Sequence, residues 1–509
     1  MRPLEIVLLV ANVVAFAQLL LPWRERAGRA WPKVPAWPAI LAWSAVLAPP
    51  LVAATQALVE GLRWQLIPAY CLAGLFSLAA LPNLTKAGRP RRPAGGARAR
   101  RVLAGVAVGA AVLGLAIAAI LPAAVPVFRL PQPTGPYAIG TTTYHWVDAA
   151  RDEVITADPN DRRELMVQVW YPASPDPASP RAPYVNDAEA VGAASAALLG
   201  LPGFVLGHLK YVRGHAVAAA PVADGEAAYP VLVFLPGKGG YRQLNTFQIE
   251  ELVSHGYVVA GIDQPYTASV VVYPDGRRAE YDRRLEPPQR QPGWDARTAP
   301  AHNPLADSLV PHLAQDVSFV LDQLAEVNRA DPQGILTGRL DLARVGLFGQ
   351  SLGGNVGGTA CRREPRLRAC LLEDAYMTAE VVAAGLTQPT MWITRDADTM
   401  RLEREKSGGW GEAAIEEHLS TMRAVFDRLP GDGYYVEVIG MFHIEMTDVP
   451  LFSPVVELAV GGPVGARRVH EIINAYSLAF FDRHLRGRPA PLLDGPSPRY
   501  PEVRLDSRR

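Results

Sequence analysis

One stretch decides the fold of the larger part of this chain: Val345-Gly346-Leu347-Phe348-Gly349-Gln350-Ser351-Leu352-Gly353. An apolar run ends here in the pattern Gly-x-Ser-x-Gly. At a strand-to-helix turn this pattern strains the backbone and raises the serine hydroxyl above the edge of a sheet. The N–H group of the next residue, Leu352, then points to where an oxyanion would form. The pattern predicts Ser351 as a nucleophile. A purely structural Ser/Gly turn has the same letters, so the interpretation depends on its partners.

Segments with the pattern of strands alternate with segments of helical pattern on both sides of Ser351. Apolar or alternating runs predict strands at 165–171, 230–235, 257–263, 367–372, 390–394 and 434–439. Helices are predicted at 248–255, 309–327 and 469–485. This alternation predicts an α/β fold with a mostly parallel, doubly wound sheet, as in the α/β-hydrolase fold. Residues 193–209 are interpreted as either a lid or a surface insertion, and 265–305 as an excursion over the sheet.

A serine nucleophile needs a base, and a histidine follows the last predicted strand. His443 comes behind a glycine turn, where the carboxyl ends of parallel strands bring loops together. In this fold the chain order is serine, acid, histidine. Two acids fit that order, Asp374 after one strand and Asp398 after the next, and the residues alone leave both open. The other one is expected to cap a helix or a loop. Glu445 and Asp448 are interpreted as helix-start residues.

A glycine-rich loop, Pro236-Gly237-Lys238-Gly239-Gly240, follows the predicted strand 230–235. It lacks the Gly-Lys-Ser/Thr ending of a phosphate-binding loop. In a hydrolase of this layout the loop supplies the second N–H group of the oxyanion hole. Lys238 is the candidate, through its backbone. Chemistry of this kind requires neither a metal nor an organic cofactor.

Four apolar stretches precede residue 130, at 4–23, 36–59, 62–84 and 102–128. Each is close to the ~20 residues that cross a bilayer as a helix, and a signal peptide would explain only the first. The sequence therefore predicts four transmembrane helices in a membrane region at 1–128. A Pro/Gly-rich linker at 129–140 and an α/β-hydrolase domain at 141–509 are predicted to follow.

Basic residues cluster in the first and third loops of this region, at 24–33 and 86–101. Because basic loops stay in the cytoplasm, we expect both termini outside. The protein is then an integral plasma-membrane protein with its hydrolase domain on the extracytoplasmic side. The whole chain has 50 Lys and Arg against 50 Asp and Glu, which gives no basic excess for nucleic acid. The 86–101 loop is interpreted as a topology signal that contacts anionic lipid.

The three cysteines are too few for a disulfide framework and lack metal-ligand spacing. Cys361 and Cys370 lie at the end of a predicted helix and the start of a predicted strand. Outside the cytoplasm they could form a disulfide. Two buried free thiols are the alternative, which the sequence slightly favours.

From Gly135 to about Leu485 the chain resembles the platelet-activating factor acetylhydrolase-like group of α/β-hydrolases. The segment Pro133-Thr134-Gly135-Pro136-Tyr137-Ala138-Ile139-Gly140 is similar to the start of that family's domain. Residues 234–242 resemble its oxyanion loop, with Pro236-Gly237 where His-Gly is usual. Gly349-Gln350-Ser351-Leu352-Gly353-Gly354 resembles its nucleophile elbow, with Gln350 where histidine is usual. The acid of the family sits in a segment that Asp374-Ala375-Tyr376-Met377 matches.

The resemblance implies an esterase of short-chain acyl lipids with Ser351 as nucleophile, His443 as base and Asp374 as acid. The segment around Asp398 is also similar to the acid loop of polyester-hydrolase and dienelactone-hydrolase relatives, which keeps Asp398 as the alternative. We therefore expect a membrane-anchored serine ester hydrolase that acts on a small-molecule or lipid ester. Two rival functions fit the same residues: an acyltransferase, in which an alcohol replaces water, and a non-catalytic ectodomain that serves as a sensor.

Overall fold

The computed structural model describes residues 1–20, 37–85, 97–285 and 304–509, and the chain divides into two units, Met1–Val127 and Phe128–Arg509. The predicted linker at 129–140 lies in the second unit, and its last three residues already belong to the first strand, β1 (Ala138–Asp152). The basic loop at 24–33 and most of the loop at 86–101 lie outside the described residues.

The first unit contains four helices in its described residues: α1 (Pro3–Leu20), α2 (Trp37–Val59), α3 (Ile67–Thr85) and α4 (Ala97–Ala124). Three segments of the described chain are long and apolar enough to cross a membrane, Pro3–Leu20, Trp64–Leu81 and Arg101–Ala124. These three segments support three of the four predicted spans by length and composition, and spanning by α2 stays a prediction.

A buried ion pair ties the helices of the first unit together. The Arg63 guanidinium lies 2.8 Å from the Glu5 carboxylate, and it donates a hydrogen bond of 2.9 Å to the Val125 carbonyl oxygen. Both side chains are almost fully buried. Arg63 therefore links the start of α1, the turn before α3 and the end of α4.

In the second unit the strands after β1 are β2 (Arg162–Ala173), β3 (Arg181–Pro183), β4 (Arg213–Ala218), β5 (Tyr229–Leu235), β6 (Val258–Asp263), β7 (Val270–Val272), β8 (Arg278–Glu280), β9 (Leu340–Gln350), β10 (Leu367–Glu373), β11 (Thr390–Thr394), β12 (Gly433–Val438) and β13 (Val503–Arg508). An 11-stranded sheet forms the centre of this unit, in the order β13-β12-β11-β10-β9-β5-β6-β2-β1-β4-β3. The run from β12 to β6 is parallel, and β13, β2 and β3 pair antiparallel with their neighbours.

Helices cover both faces of this sheet, because its central strands are apolar on both sides. The helices are α5 (Ala188–Leu198), α6 (Thr246–Ser254), α7 (Pro304–Arg329), α8 (Leu352–Arg363), α9 (Ala379–Ala384), α10 (Ala397–Ser407), α11 (Glu412–Phe426), α12 (Pro454–Val460) and α13 (Ala466–Arg486). One core contains buried residues of α7, α8 and α11, and the other contains buried residues of α6 and α13. The predicted mixed α/β fold with its mostly parallel central strands is confirmed.

Two features of the second unit differ from expectation or go beyond it. Cys361 and Cys370 are joined by a disulfide between the end of α8 and β10, so the slight preference for free thiols is wrong. The spacing of the two residues in the sequence gave no information on how their side chains face each other. The predicted excursion at 265–305 contains the two-stranded β7–β8 hairpin, and its residues 286–303 lie outside the described part of the chain.

Candidate active site

Ser351 occupies the turn between β9 and α8 in a conformation that only close packing maintains. Its φ of 56° and ψ of −121° lie in a region that non-glycine residues rarely adopt. Its N–H group donates a 2.8 Å hydrogen bond to the Glu373 carbonyl oxygen of the neighbouring strand. A Cβ atom added to Gly349 would lie 2.3 Å from the Gly353 carbonyl oxygen, and one added to Gly353 would lie 2.0 Å from the Leu235 carbonyl oxygen. The two glycines of the motif are required because backbones touch there.

His443 begins a short 3-10 turn after β12, and Asp374 follows β10. The Nδ1 atom of His443 lies 2.5 Å from Oδ2 of Asp374. A carboxylate only accepts hydrogen bonds, so Nδ1 carries the proton and the lone pair is on Nε2. That Nε2 atom lies 3.1 Å from the amide nitrogen of Gln350, which donates to it. The resting imidazole is therefore held at both nitrogens.

The Asp374 carboxylate is fully buried, accepts hydrogen bonds from three side chains and forms an ion pair with a fourth, Arg395. The Thr394 hydroxyl and His418 Nε2 lie 2.9 and 3.1 Å from Oδ1, and His443 Nδ1 and Arg395 Nη2 lie 2.5 and 2.7 Å from Oδ2. Burial alone would raise the pKa of Asp374, but the charge of Arg395 and the hydrogen bonds from both histidines hold it well below its usual value. The carboxyl is therefore ionised at neutral pH.

Asp398 lies elsewhere. Its side chain is 93% exposed in the first turn of α10 and pairs with Arg401 at 2.9 Å. The N-terminus of α10 is capped by Asp396, whose carboxylate accepts from the Thr399 N–H group at 2.8 Å. Of the two candidate acids, the structure brings Asp374 to His443 and places Asp398 on the surface.

Three side chains around Asp374 were not predicted from the sequence. Arg395, which follows β11, pairs with both Asp374 and the Glu403 carboxylate of α10. Glu403 also accepts the backbone N–H group of His443, at 3.3 Å from each of its oxygens. His418 on α11 is fully buried, and burial lowers its pKa against the raising effect of Asp374. His418 could have been noticed as a histidine on the apolar face of an amphipathic helix, whereas no sequence pattern marks Arg395 or Glu403.

Two carboxyl groups, that of Glu373 directly before Asp374 and that of Glu445 two residues after His443, have pKa values in or above the neutral range because they are buried. Burial raises the pKa of Glu373 to about 8 and that of Glu445 to about 7.

Glu445 accepts the Phe442 N–H group at 2.7 Å, so it holds the turn that carries His443. Asp448 accepts the N–H groups of Thr246 and Phe247 at the start of α6. Both residues were predicted to lie at helix starts: Glu445 lies in the first turn of the 3-10 helix His443–Met446, and Asp448 directly precedes the 3-10 helix Val449–Phe452.

Ser351 and His443 open into one cavity of about 670 Å³. Leu352 and Lys238, the predicted oxyanion-hole residues, also line it. In the loop that carries Lys238, the N–H groups of Gly239 and Gly240 already donate to the carbonyl oxygens of Thr267 and Gly237. The cavity is lined by both apolar and aromatic or polar side chains. The apolar ones include Leu198, Leu199, Leu206, Val449 and Phe452, and the others include Tyr376, Trp410, Glu417 and His418.

No group of three or more His, Cys, Asp or Glu residues that could hold a metal ion occurs within the described ranges. The polar groups gathered at this site are a hydroxyl, an imidazole and a carboxylate in mutual reach of one cavity, which suits acyl transfer.

Known proteins agree with this chemistry. Residues 123–488 match the family described as platelet-activating factor acetylhydrolase, isoform II. A protein of Arthroderma benhamiae named "Probable 1-alkyl-2-acetylglycerophosphocholine esterase" is 26% identical over 77% of this chain and 97% of its own length. The platelet-activating factor acetylhydrolase of Cavia porcellus is 23% identical over 70% of this chain and 78% of its own.

A solved structure, the ferulic acid esterase from Streptomyces cinnamoneus, is 31% identical, covers 75% of this chain and 99% of its own, and superposes with a TM-score of 0.57. The mixed α/β sheet agrees with the α/β-hydrolase fold of an esterase. This chain belongs to the platelet-activating factor acetylhydrolase, isoform II, family and is a carboxylic-ester hydrolase.

Proposed function

We propose that Ser351, His443 and Asp374 form the catalytic triad of this esterase. The observation that carries the proposal is the strained Ser351, with φ of 56°, in one cavity with a histidine whose Nδ1 atom lies 2.5 Å from a buried carboxylate. Strain of this kind persists only where the surroundings impose it, and it is common at functional sites. Asp398, with its exposed side chain, has no such contact with His443.

In the proposed mechanism, Ser351 Oγ attacks the ester carbonyl carbon while its proton passes to Nε2 of His443. Gln350 must release Nε2 at this step, because its amide occupies the same lone pair at 3.1 Å. Asp374 stabilises the imidazolium that forms. The backbone N–H groups of Lys238 and Leu352 are assigned to the oxyanion, a contribution of about 3 kcal/mol for each donor. His443 then returns the proton to the departing alcohol. In the second half of the reaction, water gives a proton to His443 and attacks the acyl carbon, and Ser351 Oγ leaves with that proton as the carboxylic acid is released.

For the substrate, we propose a short-chain acyl ester of a lipid. The Arthroderma relative is named for 1-alkyl-2-acetylglycerophosphocholine, and the apolar side chains that line the cavity suit an alkyl chain. A second class, aromatic acyl esters, is favoured by the ferulic acid esterase relative and by Tyr376 and Trp410 in the lining of the cavity. Hydrolysis of 1-alkyl-2-acetylglycerophosphocholine beside methyl ferulate decides between the two classes.

We further propose that the first unit anchors the esterase in a membrane, with the esterase domain outside the cytoplasm. Three apolar segments long enough to span a bilayer support the anchor. Two observations support the orientation: the basic residues at 24–33 and 86–101, and the Cys361–Cys370 disulfide, a bond that persists in oxidising compartments. Protease accessibility of the esterase domain in intact cells, compared with lysed cells, tests this orientation.

The catalytic proposal is tested by labelling the purified full-length protein with a fluorophosphonate, and by measuring the turnover of a short-chain p-nitrophenyl ester. Wild type should be labelled and active, whereas Ser351→Ala should lose both and His443→Ala should lose nearly all turnover. Asn355 also lines the cavity but is not part of the proposed triad. Asn355→Ala therefore serves as the matched control and should remain labelled. An unlabelled but folded wild type would refute the proposal and favour the rival function of a non-catalytic ectodomain that serves as a sensor. Faster product formation with an added alcohol would favour the other rival, an acyltransferase.

A further inference from the structure

His443 is part of a closed ring of contacts with charged side chains. The ring runs from His443 Nδ1 to the Asp374 carboxylate at 2.5 Å, and from there to Arg395 at 2.7 Å. Arg395 pairs in turn with Glu403, and Glu403 accepts the backbone N–H group of His443 at 3.3 Å. The side chain and the backbone of one residue are therefore held by the two ends of the same chain of charges.

The charged side chains of the ring are buried, and one of them contacts Trp410. The side chains of Asp374, Arg395 and Glu403 are 0%, 3% and 14% exposed. The Arg395 guanidinium lies 5.5 Å from the centre of the Trp410 ring, which covers it from the cavity side. Trp410 also packs edge-on against His418 at 4.6 Å. Water screens charges little in such a place, so each charge acts strongly on its neighbours.

The charges of the ring balance only when His443 is protonated. Two carboxylates and one guanidinium leave one net negative charge beside a neutral imidazole. The imidazolium formed during acyl transfer adds one positive charge and makes the set neutral. Without the charge of Arg395, the net charge beside His443 would be two negative charges. Without the charge of Glu403, Asp374 and Arg395 would balance and the net charge would be zero.

We infer that Arg395 and Glu403 are positioning residues that set the pH range of the esterase, by fixing how much negative charge His443 experiences. This inference rests on the proposed triad. Arg395 favours the neutral, proton-accepting imidazole before reaction, while Glu403 and Asp374 favour the imidazolium during it. Neither Arg395 nor Glu403 is assigned a contact with the reacting atoms.

Other ionisable groups face His443 and Asp374, but none of them changes in the variants that test the inference. Lys238, Asp307, Glu417 and His418 line the cavity, together with Tyr241 and Tyr376, whose pKa values burial raises. Glu445 and Lys406 lie close to the neighbouring Phe442: Glu445 accepts its N–H group, and the Lys406 ammonium is 5.8 Å from its ring. Their effects are common to every variant compared, so they cancel in the differences.

The test is the pH dependence of the fluorophosphonate labelling rate and of kcat/KM for full-length Arg395→Met, Glu403→Gln and the double variant. On the acidic side, the pH of half-maximal rate should rise by about one unit in Arg395→Met, because a nearby cation is lost. It should fall in Glu403→Gln and return towards wild type in the double variant. Arg395→Lys keeps the charge without the planar fork, so it should be slower with an unmoved pH profile.

Matched controls come from an exposed pair of the same chemistry on α10 and α11, Arg401 and Glu412, which lie 3.0 Å apart. Arg401→Met and Glu412→Gln should leave the profile unchanged. Shifts in the same direction for Arg395→Met and Glu403→Gln, or lower rates with no shift, would show a merely structural role and overturn the inference. If Arg395→Met does not fold, the downward shift in Glu403→Gln and the unmoved profile of Arg395→Lys remain decisive. Retained labelling in Ser351→Ala would instead refute the triad itself.

Discussion

Replacing Asp374 by Asn tests which carboxylate serves His443. The substitution keeps the size of the side chain but removes a charge that four side chains contact, among them His443 at 2.5 Å and Arg395 at 2.7 Å. In a Ser-His-Asp triad the same change costs about 10⁴-fold in kcat, or about 5.4 kcal/mol of barrier. It also leaves Arg395 with one partner fewer in a buried site, which costs about 3–5 kcal/mol of stability.

Activity and folding must therefore be measured separately. We would record p-nitrophenyl ester turnover at saturation together with thermal melting of each variant. Thr394→Val keeps the Asp374 charge and removes one hydrogen bond of 2.9 Å, so it should melt near wild type and lose about tenfold in kcat or less. Asp398→Asn, at a side chain that is 93% exposed, should change the free energy of unfolding by less than about 0.5 kcal/mol and leave kcat unchanged.

One result would refute this assignment. If folded Asp374→Asn kept kcat within about tenfold of wild type, the 2.5 Å contact with His443 would not be catalytic. A large loss in Asp398→Asn would then require the loop after β11 to move its acid to the histidine. The surface pair with Arg401 would have to open for that movement.

Three further predictions concern the same domain. Gln350→Met removes the donor that lies 3.1 Å from His443 Nε2, so fluorophosphonate labelling should become about two- to tenfold faster; slower labelling would show that the amide assists. Replacing Cys361 and Cys370 by Ser should lower the free energy of unfolding by about 3 kcal/mol in denaturant titrations, because the cross-link no longer restricts the unfolded chain. Glu373 has a pKa raised to about 8 by burial, so its contribution to stability is complete below pH 4.5 and is lost as the pH rises through 8. Glu373→Gln should therefore be more stable than wild type at pH 9, by about 2–5 kcal/mol at most, and not at pH 5.

The parts of this protein that could be predicted from its sequence are those encoded over short distances. Backbone contacts at Gly349 and Gly353 leave no room for a side chain at either position. The Gly-x-Ser-x-Gly pattern therefore predicts the turn at Ser351. The buried strands are apolar runs, and each predicted strand or helix overlaps the one observed, with ends that differ by up to five residues. The positions of Ser351, Asp374 and His443 at strand ends follow from the parallel sheet, because its carboxyl ends share one edge.

Contacts that depend on the orientation of side chains could not be predicted in this way. The disulfide depends on how two side chains face each other, which the spacing of Cys361 and Cys370 does not determine. Composition alone predicts four spanning helices, whereas three segments of the described residues are long and apolar enough to cross a membrane.

The choice between Asp374 and Asp398 shows where the two kinds of information meet. Both follow strands that lie next to each other in the sheet, so topology alone permits either. The decision depends on Arg395 and His418, which come from the loop after β11 and from α11 and which meet only in the folded chain. A carboxylate with no other partner in that pocket would pay the full cost of burial and take up a proton. Asp374 stays ionised because the fold supplies those partners, and the same partners hold its carboxylate against His443.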